Sequence, residues 1–336
     1  MSTARRFQVL VTGGGGYIGS HVILALLDAG HRVAVIDNLT TGFRWAIPAE
    51  ARFWPGDIAD RDLVMRIIQE HDIEAIMHFA GSVVVPESVL NPLKYYRNNT
   101  INSASLLECA VRSGVRHFIF SSSAAVYGIP DRNPVTEDFA ARPVNPYGAS
   151  KLMTEMMLAD AAAAFSLNFC ALRYFNVAGA DPGSRAGQST VGATHLVKVA
   201  IEVACGKRPE VVVFGNDYNT PDGTGVRDYI HVTDLANAHL AALNALVADP
   251  KSSSILNCGY GRGYSVLEVI QAVERVTGVS VPHRIASRRL GDPPALIADN
   301  ARILSSLDWK PQFADIEAMV AHAMAWEQSQ SRRNQA

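Results

Sequence analysis

The chain has 336 residues, of which 48 % are apolar and 18 % are charged, and its net charge is −2. This length suggests one large lobe or two unequal lobes sharing a cleft, and the composition excludes a disordered chain. The near-zero net charge and the scattered basic residues exclude the electrostatic footprint of a nucleic-acid or anionic-membrane binder, so we expect neither partner.

Several features predict a cytoplasmic protein. The segment Met1 to Phe7 is short and polar, so no secretory signal is predicted there. The apolar stretch from Met156 to Leu172 is interrupted by polar residues, and it is predicted as a helix end followed by a strand rather than a membrane span. The spacing of the four cysteines matches neither a metal site nor a disulfide framework: Cys109, Cys170, Cys205 and Cys258. We predict no metal.

The first half alternates short apolar runs with longer amphipathic segments, which is typical of a parallel sheet covered by helices. Six strands are predicted: Gln8 to Thr12, Arg32 to Asp37, Arg52 to Pro55, Ala75 to Ala80, His117 to Ser122 and Asn168 to Tyr174. Four helices are predicted: Ile18 to Ala29, Asp60 to Glu70, Pro92 to Ser113 and Tyr147 to Phe165. Asn145 and Pro146 suit the start of the last helix. The pattern indicates an α/β fold with a Rossmann-type doubly wound sheet.

Beyond Asn176 the pattern is less regular, with polar glycine-bearing loops between shorter elements. Helices are predicted at Thr233 to Leu246, Ser265 to Thr277 and Asp315 to Glu327. We therefore place a first domain at residues 1–176, to which the chain returns later. A smaller mixed α/β lobe occupies residues 177–336.

A glycine-rich loop follows the first strand and opens the first helix. Gly13, Gly16 and Gly19 allow a tight turn and a close approach of the backbone to a pyrophosphate. Asp37 ends the next strand, about twenty residues on, where an acid can bind ribose hydroxyls and repel a 2′-phosphate. A glycine turn beside an unrelated aspartate is the alternative, but strand, helix and acid together favour an NAD site.

Tyr147 and Lys151 lie four residues apart and share a helix face. A lysine ammonium near a phenol favours the phenolate, so we expect a lowered tyrosine pKa and a usable base. Such pairs also arise by chance on helix surfaces. Ser123 supports the functional interpretation because it lies at the carboxyl end of a predicted strand, where open parallel sheets bind ligands, whereas Ser121 and Ser122 are expected to be structural.

These motifs resemble those of the extended short-chain dehydrogenases/reductases, and longer strings resemble the UDP-glucose 4-epimerase family. The resemblance runs from about residue 8 to about residue 328. The strings are GGGYIGSH from Gly14, FIFSSS from Phe118, LRYFN from Leu172, FGNDY from Phe214 and DGTGVRDYIHV from Asp222. The later strings are far more specific than the glycine loop.

The resemblance implies a set of site residues. Ser123, Tyr147 and Lys151 are implied to be catalytic. For NAD it implies Gly13, Gly16, Tyr17, Ile18, Gly19, Asp37, Asn38, Asp57, Ile58, Phe79, Ala80, Gly81, Asn98, Tyr147, Lys151 and Phe175. For the nucleotide sugar it implies Ser123, Tyr147, Asn176, His195, Leu196, Phe214, Arg227, Arg289, Asp292 and Leu296. Two arginines can grip a pyrophosphate, although without the family both would be taken as surface charges.

The sequence departs from the family pattern at several positions. Ser82 and Val83 follow the Phe-Ala-Gly string where a lysine is frequent, and Ala125 replaces a common threonine. His195 stands where asparagine is frequent. Leu296 occupies the position that limits room for an N-acetyl group in the family, so the range of UDP sugars, including N-acetylhexosamines and pentoses, stays open.

The resemblance implies the 4-epimerisation of UDP-galactose to UDP-glucose. Tyr147 would take the 4-hydroxyl proton while NAD receives hydride from C4, and the 4-keto sugar would then accept hydride on its other face. A 4,6-dehydratase is the nearest alternative, but relatives of that kind carry an acid pair where this chain has Ala124 and Ala125. A sensor or scaffold without chemistry is a second alternative, which the complete catalytic set disfavours.

A homodimer is expected by analogy alone. Its interface would use the predicted helices Pro92 to Ser113 and Tyr147 to Phe165.

Overall fold

A parallel seven-stranded sheet forms the centre of the computed structural model, which describes residues 6–249, 251–289 and 291–333. The strands of the chain are β1 Gln8–Thr12, β2 Arg32–Asp37, β3 Arg52–Pro55, β4 Ala75–His78, β5 His117–Ser123, β6 Asn168–Tyr174, β7 Asn176–Ala178, β8 Val211–Phe214, β9 Val226–His231, β10 Ser254–Cys258, β11 Gly263–Ser265, β12 His283–Ala286 and β13 Ala295–Leu296. The order in the central sheet is β10-β6-β5-β4-β1-β2-β3. The order reverses between β1 and β4, and open α/β sheets bind ligands outside the carboxyl ends of strands at such a point.

Helices cover both faces of this sheet. They are α1 Tyr17–Asp28, α2 Arg61–Glu70, α3 Val85–Leu90, α4 Pro92–Tyr95, α5 Asn102–Arg112, α6 Pro146–Ala164, α7 Leu196–Ala204, α8 Val232–Ala248, α9 Val266–Thr277, α10 Ala301–Ser306 and α11 Ile316–Arg333. Side chains of β1 alternate between the two faces, as strand geometry requires. Val9 and Val11 join the core formed with α1 and α8, while Leu10 joins the core formed with α2, α5 and α6.

A second lobe lies at the carboxyl ends of the central strands. In it, β9 pairs with β7, β11 and β13, and β8 pairs with β12. Helices α7, α9 and α11 pack around a separate apolar core that includes Val197, Ile201, Val269 and Met319. The second lobe is therefore a mixed α/β unit, as predicted.

The structure confirms the α/β doubly wound fold but corrects the number of strands in its sheet. The seventh strand, β10, comes late in the chain and pairs in parallel with β6. It completes the sheet at the edge that β6 would otherwise leave unpaired. The domain boundary at residue 176 stays a prediction.

Several element boundaries differ from prediction, and two of the differences lie beside the glycine loop or within a predicted helix. Strand β4 ends at His78 rather than Ala80, because the Ala80 N–H turns to the Thr12 hydroxyl. The single helix predicted from Pro92 to Ser113 is instead α4, a π-helical turn at Tyr96–Ile101, and α5. Helices α3, α7 and α10 were not predicted. Within the described residues, no helix has both the length and the apolar character needed to cross a bilayer.

Candidate active site

The glycine loop after β1 is packed so closely that side chains do not fit. Gly13 has a φ of 71°, and a Cβ there would lie 2.6 Å from the Ala80 nitrogen. A Cβ on Gly19 would lie 2.3 Å from the Gly13 carbonyl oxygen. The backbone of β1 therefore turns directly into α1 against the end of β4, at the point where the strand order reverses.

The N-terminus of α1 is suited to an anion. Gly16 is its N-cap, and no described side chain caps the helix there. The first N–H groups of a helix have no intrahelical partner and carry the positive end of its dipole. The geometry of the loop is therefore suited to a pyrophosphate, and three residues predicted for NAD lie there: Gly16, Tyr17 and Ile18.

Asp37 is held rigidly beside this loop. Its Oδ2 accepts the Gly15 N–H at 2.8 Å, and its Oδ1 accepts the Leu39 N–H at 2.7 Å. A carboxylate has further lone pairs on both oxygens, so Asp37 can still accept ribose hydroxyls. Asn38 follows it and donates to Asp57 Oδ2 at 2.7 Å, and buried Ile58 is next to Asp57.

The π-helical turn holds the segment that follows β4. Asn99 holds both backbone groups of Ser82, accepting its N–H at 2.8 Å and donating to its carbonyl at 2.9 Å. Asn98 donates to the Ser82 hydroxyl at 2.9 Å. The extra residue of a π-turn lets both asparagines reach the same segment, which follows Phe79, Ala80 and Gly81.

The three predicted catalytic residues converge at the carboxyl end of β5. Ser123 ends this strand, Tyr147 lies in the first turn of α6, and Lys151 lies one turn later. All three are buried. The Lys151 Nζ donates to the Ser121 carbonyl at 2.8 Å, and it lies 4.9 Å from the centroid of the Phe120 ring and 5.9 Å from that of Tyr147.

The structure corrects the predicted direction of the tyrosine shift. Burial raises the pKa of Tyr147, and a hydrogen bond with Ser123 opposes the rise. Burial also lowers the pKa of Lys151 to about 8, against the charge of Glu155. Desolvation therefore dominates over the expected effect of the ammonium in the chain alone, because both groups are removed from water.

A buried polar network beneath these residues was not predicted. Glu155 receives hydrogen bonds from Ser122 at 2.5 Å and from the Arg173 Nε at 2.9 Å. Arg173 also donates to Tyr127 at 3.0 Å, and the Tyr127 hydroxyl donates to Asn257 at 2.6 Å. The spacing of four residues from Lys151 to Glu155 was the available signal. It places Glu155 on the same helix face, but does not show that this face is buried.

The residues predicted for the nucleotide sugar lie mainly in the second lobe. Arg227 on β9 forms an ion pair with Asp292. The Arg289 guanidinium carbon lies 3.8 Å from the centroid of the Phe214 ring, and burial lowers the Arg289 pKa. Arg289, although exposed, therefore lies on an aromatic face, and Arg227 is paired with a carboxylate.

Leu296 connects the two lobes of the site. Its backbone is the register partner of Arg227, and its side chain is buried in a cluster with Ala124 and partly buried Phe175. Ala124 directly follows Ser123, so the cluster that buries Leu296 is next in sequence to the predicted catalytic serine.

The remaining predicted residues lie around this cleft. Asn176 begins β7, and Leu196 begins α7 directly after His195. His195 Nδ1 accepts from the Gln188 amide at 3.1 Å, its ring contacts Tyr17 edge-on, and burial lowers its pKa. His195 thus lies next to the glycine-loop tyrosine, which the sequence did not indicate.

The fold, the glycine loop and the buried Ser-Tyr-Lys group define the class of protein, an NAD-dependent enzyme of the extended short-chain dehydrogenase/reductase type. The family model for "NAD dependent epimerase/dehydratase family" matches residues 9–259. A UDP-glucose 4-epimerase from Azospirillum brasilense is 54 % identical over 327 residues, which cover 97 % of this chain and 94 % of that relative.

Solved structures agree. The UDP-glucose-4-epimerase from Stenotrophomonas maltophila, with bound NAD and formylated UDP-arabinopyranose, superposes with a TM-score of 0.94 at 43 % identity, over 98 % of this chain and all of that chain. The enzyme from Bifidobacterium longum, in complex with NAD+ and UDP, has a TM-score of 0.92 at 39 % identity, over 96 % and 99 % of the two chains. The chain belongs to the NAD dependent epimerase/dehydratase family and is an NAD-dependent epimerase.

Proposed function

We propose that this enzyme interconverts UDP-galactose and UDP-glucose through a transient 4-keto sugar, with Tyr147 as the acid and base. The observation that carries this proposal is the convergence of Ser123, Tyr147 and Lys151 at the carboxyl end of β5, in the same sheet as β1 and its glycine loop. No redox partner is needed, because the sugar is oxidised and then reduced at the same carbon.

The cofactor would be held by the glycine loop, the α1 N-terminus and Asp37, as their geometry supports. Hydride acceptance from C4, and its later return, are the chemistry that bound NAD supplies. Asn98, held on Ser82, and Phe79, which packs against His239 with ring centroids 4.8 Å apart, supply a polar group and an apolar face at the inner end of the site.

Proton transfer is assigned to the chain's own residues. The Tyr147 phenolate takes the proton of the sugar 4-hydroxyl, and the Ser123 hydroxyl holds the same sugar oxygen. The Lys151 ammonium favours ionisation of Tyr147, and the positive nicotinamide ring acts in the same direction. Both are needed because burial alone raises the Tyr147 pKa.

The two ends of the substrate would be held differently. Arg227, Arg289 and Asp292 offer charged groups for the UDP moiety, and Phe214 offers an aromatic face. The sugar end is bordered by Leu296, Ala124 and Phe175, which bind it without ionic contacts. Firm binding of UDP with loose binding of the sugar allows the 4-keto sugar to rotate within the site and present its opposite face, as epimerisation requires.

The sugar range depends on the space around Leu296. Leucine is intermediate in size between residues that would exclude and admit an N-acetyl group, and here it is 9 % exposed and packed. We propose UDP-hexoses without this group as the main substrates. A panel of UDP-glucose, UDP-N-acetylglucosamine and a UDP-pentose at equal concentration tests this, and equal rates on the first two would reject it.

A homodimer is proposed from an apolar face on the first domain. Leu90 on α3, Leu93 on α4, Ile101 in the π-turn and Met156 on α6 are all more than half exposed. Large apolar patches of this kind mark protein interfaces. Sedimentation of the wild-type protein as a monomer at micromolar concentration would contradict the dimer.

We also propose a cytoplasmic location, which the four unpaired cysteines support.

The decisive test is an assay of the purified protein without added reductant or cofactor. We expect NAD to co-purify and UDP-galactose to be converted to UDP-glucose. Bound NAD without conversion of any nucleotide sugar would indicate a sensor. Formation of a 4-keto-6-deoxy product would instead indicate a dehydratase, which Ala124 and Ala125 disfavour because neither residue can act as an acid or base.

A further inference from the structure

A buried ion pair joins α6, the catalytic helix that carries Tyr147 and Lys151, to strand β6. The Arg173 Nε and Nη2 atoms donate to the two oxygens of Glu155 at 2.9 and 2.6 Å, in a bidentate arrangement. The side chains of Arg173 and Glu155 are only 6 % and 2 % exposed. Burying two charges costs free energy, so a pair of this kind is weak evidence for stability alone.

The pair is bonded to the strand that carries the catalytic serine. Glu155 accepts the Ser122 hydroxyl at 2.5 Å, and the backbone of Ser122 is the register partner of Arg173. Ser122 lies between Ser121, whose carbonyl accepts the Lys151 ammonium, and Ser123. Movement of Glu155 would therefore displace the residues on both sides of Ser122.

Arg173 also contacts a second side chain, Tyr127, in addition to Glu155. Its Nη1 donates to the Tyr127 hydroxyl at 3.0 Å, and its guanidinium lies 4.9 Å from the centroid of the Tyr127 ring. Glu155, in contrast, lies on α6 one turn after Lys151. Residues four apart on a helix share one face, so Glu155 follows Lys151 on the same face of α6 and acts on the ammonium through its charge rather than through a direct hydrogen bond.

Lys151 has few other charged neighbours. The ionisable groups that face it or its contacts are Tyr147 and Glu155 on α6, His78 on β4, Tyr174 and Arg173 on β6, and Tyr95 on α4. Burial and the Lys151 charge keep His78 neutral by lowering its pKa to about 3. Glu155 opposes the effect of burial on the Lys151 pKa. Apart from the Tyr147 phenolate that forms for proton transfer, the other groups do not supply a negative charge at neutral pH.

We propose that Glu155, anchored by Arg173 and Ser122, is a positioning residue that keeps Lys151 protonated beside the catalytic tyrosine. This inference rests on the proposed role of Lys151. It gives the buried ion pair a role in the reaction, since the carboxylate sustains a cation that burial would otherwise neutralise.

The test is the pH profile of kcat for UDP-galactose. Lys151 must be charged, so activity falls at high pH as the ammonium loses its proton. In Glu155→Gln we expect this alkaline limb to move to lower pH by roughly one unit, because an opposite charge has been removed. Glu155→Asp keeps the charge, and we expect its limb to lie closer to that of the wild type.

A double variant separates this role from mere neutralisation of Arg173. Glu155→Gln combined with Arg173→Met leaves no buried guanidinium without a carboxylate partner. The double variant can therefore be measured if the single variant does not fold. We expect its alkaline limb to remain displaced. The proposal would be overturned if the alkaline limb of the double variant returned to its wild-type position. It would also be overturned if the alkaline limb were unchanged in a Glu155→Gln protein that is folded and binds NAD.

Glu327→Gln is the matched control. Glu327 is also buried and forms an ion pair with Lys198 at 2.5 Å, but it lies in α11 away from the catalytic helix. We expect a lower melting temperature with the pH profile unchanged. A shift in this control equal to that in Glu155→Gln would overturn the proposal. Failure of the proposed function would be distinct, because the wild type would then not convert UDP-galactose, or Lys151→Met would retain full turnover.

Discussion

At the scale of single residues, burial and neighbouring polar or charged groups shift the pKa values of Tyr147 and Lys151 in opposite directions. Burial disfavours both the Tyr147 phenolate and the Lys151 ammonium, yet proton transfer uses both ions. Hydrogen bonding by Ser123 and the charge of Glu155 act in the favourable direction. The same burial excludes water from a site where a reactive keto sugar must be retained.

Tyr147→Phe removes the proton acceptor while retaining the ring. We expect kcat for UDP-galactose to fall by about 10²- to 10⁴-fold, which is typical for loss of a general acid or base. NAD should remain bound, because the glycine loop and Asp37 are untouched. The measurement is turnover together with the absorbance of co-purified cofactor.

A matched control is Tyr264→Phe, which removes the same atom from a buried tyrosine of the second lobe. Its turnover should stay near that of the wild type. Wild-type turnover in Tyr147→Phe itself would reject the role given to this residue.

At the scale of elements, the start of α6 couples helix stability to catalysis. The Asn145 side chain accepts the Gly148 N–H at 2.8 Å, and Pro146 occupies the first helical position. Tyr147 lies in this same first turn. A frayed turn would therefore misplace the phenol even if the rest of the helix remained folded.

Asn145→Ala should destabilise the protein by about 1 kcal/mol through loss of the N-cap, and it should also lower kcat. Chemical denaturation and turnover measure the two effects. Asp60→Ala is the matched control, because Asp60 caps α2 by accepting the Leu63 N–H at 3.0 Å. We expect a similar loss of stability there with kcat unchanged. An equal fall in kcat in both variants would contradict the coupling.

At the scale of the whole molecule, the C-terminal helix α11 connects the second lobe to the cofactor loop. Trp326 is buried, donates to the Ser189 hydroxyl at 3.2 Å, and lies 6.0 Å from Trp45 between ring centroids. Phe43 stacks on Trp45 and donates its N–H to the Gly15 carbonyl at 2.9 Å. Aromatic packing thus joins residues from opposite ends of the sequence.

Trp326→Ala should lower the free energy of unfolding by about 3–5 kcal/mol, because it leaves a large cavity at this junction. Trp45 is 48 % exposed, so Trp45→Ala should cost much less. Guanidinium unfolding curves compare the two variants. Equal losses would mean that Trp326 does not anchor the helix.

Buried histidines should make the protein unstable in acid. Burial lowers the pKa of His21 and His239 from 6.5 to about 4, and that of His78 and His231 to about 3. Between these values and 6.5, the unfolded chain binds more protons than the folded one. Stability should therefore fall as pH drops from about 6.5 toward 4, by up to about 1.4 kcal/mol per pH unit for each histidine.

Unfolding free energies at pH 7, 6 and 5 test this slope. His239→Gln should reduce the slope by up to about 1.4 kcal/mol per pH unit. A slope unaffected by His239→Gln would show that this histidine does not contribute.

The sequence predicted elements well where the pattern was local and continuous. Strands β1, β2, β3 and β6 have the predicted boundaries, because each is an apolar or β-branched run beside turn residues. Strand β10 was missed since its run of Ser254 to Cys258 is short and partly polar. The π-turn was also missed, because one extra residue leaves the helical pattern almost unchanged. The assignments of individual residues to the site stay predictions.

The sequence by itself determined the doubly wound fold and the epimerase family, and it predicted the glycine loop as the NAD site and the Ser-Tyr-Lys group as catalytic. These depend on short motifs and on periodicity, which are properties of neighbouring residues. Only the tertiary structure decided the directions of the Tyr147 and Lys151 pKa shifts and the bonding of Glu155 to Arg173 and Ser122. The physical reason is that desolvation and buried hydrogen bonds depend on which distant strands cover a side chain.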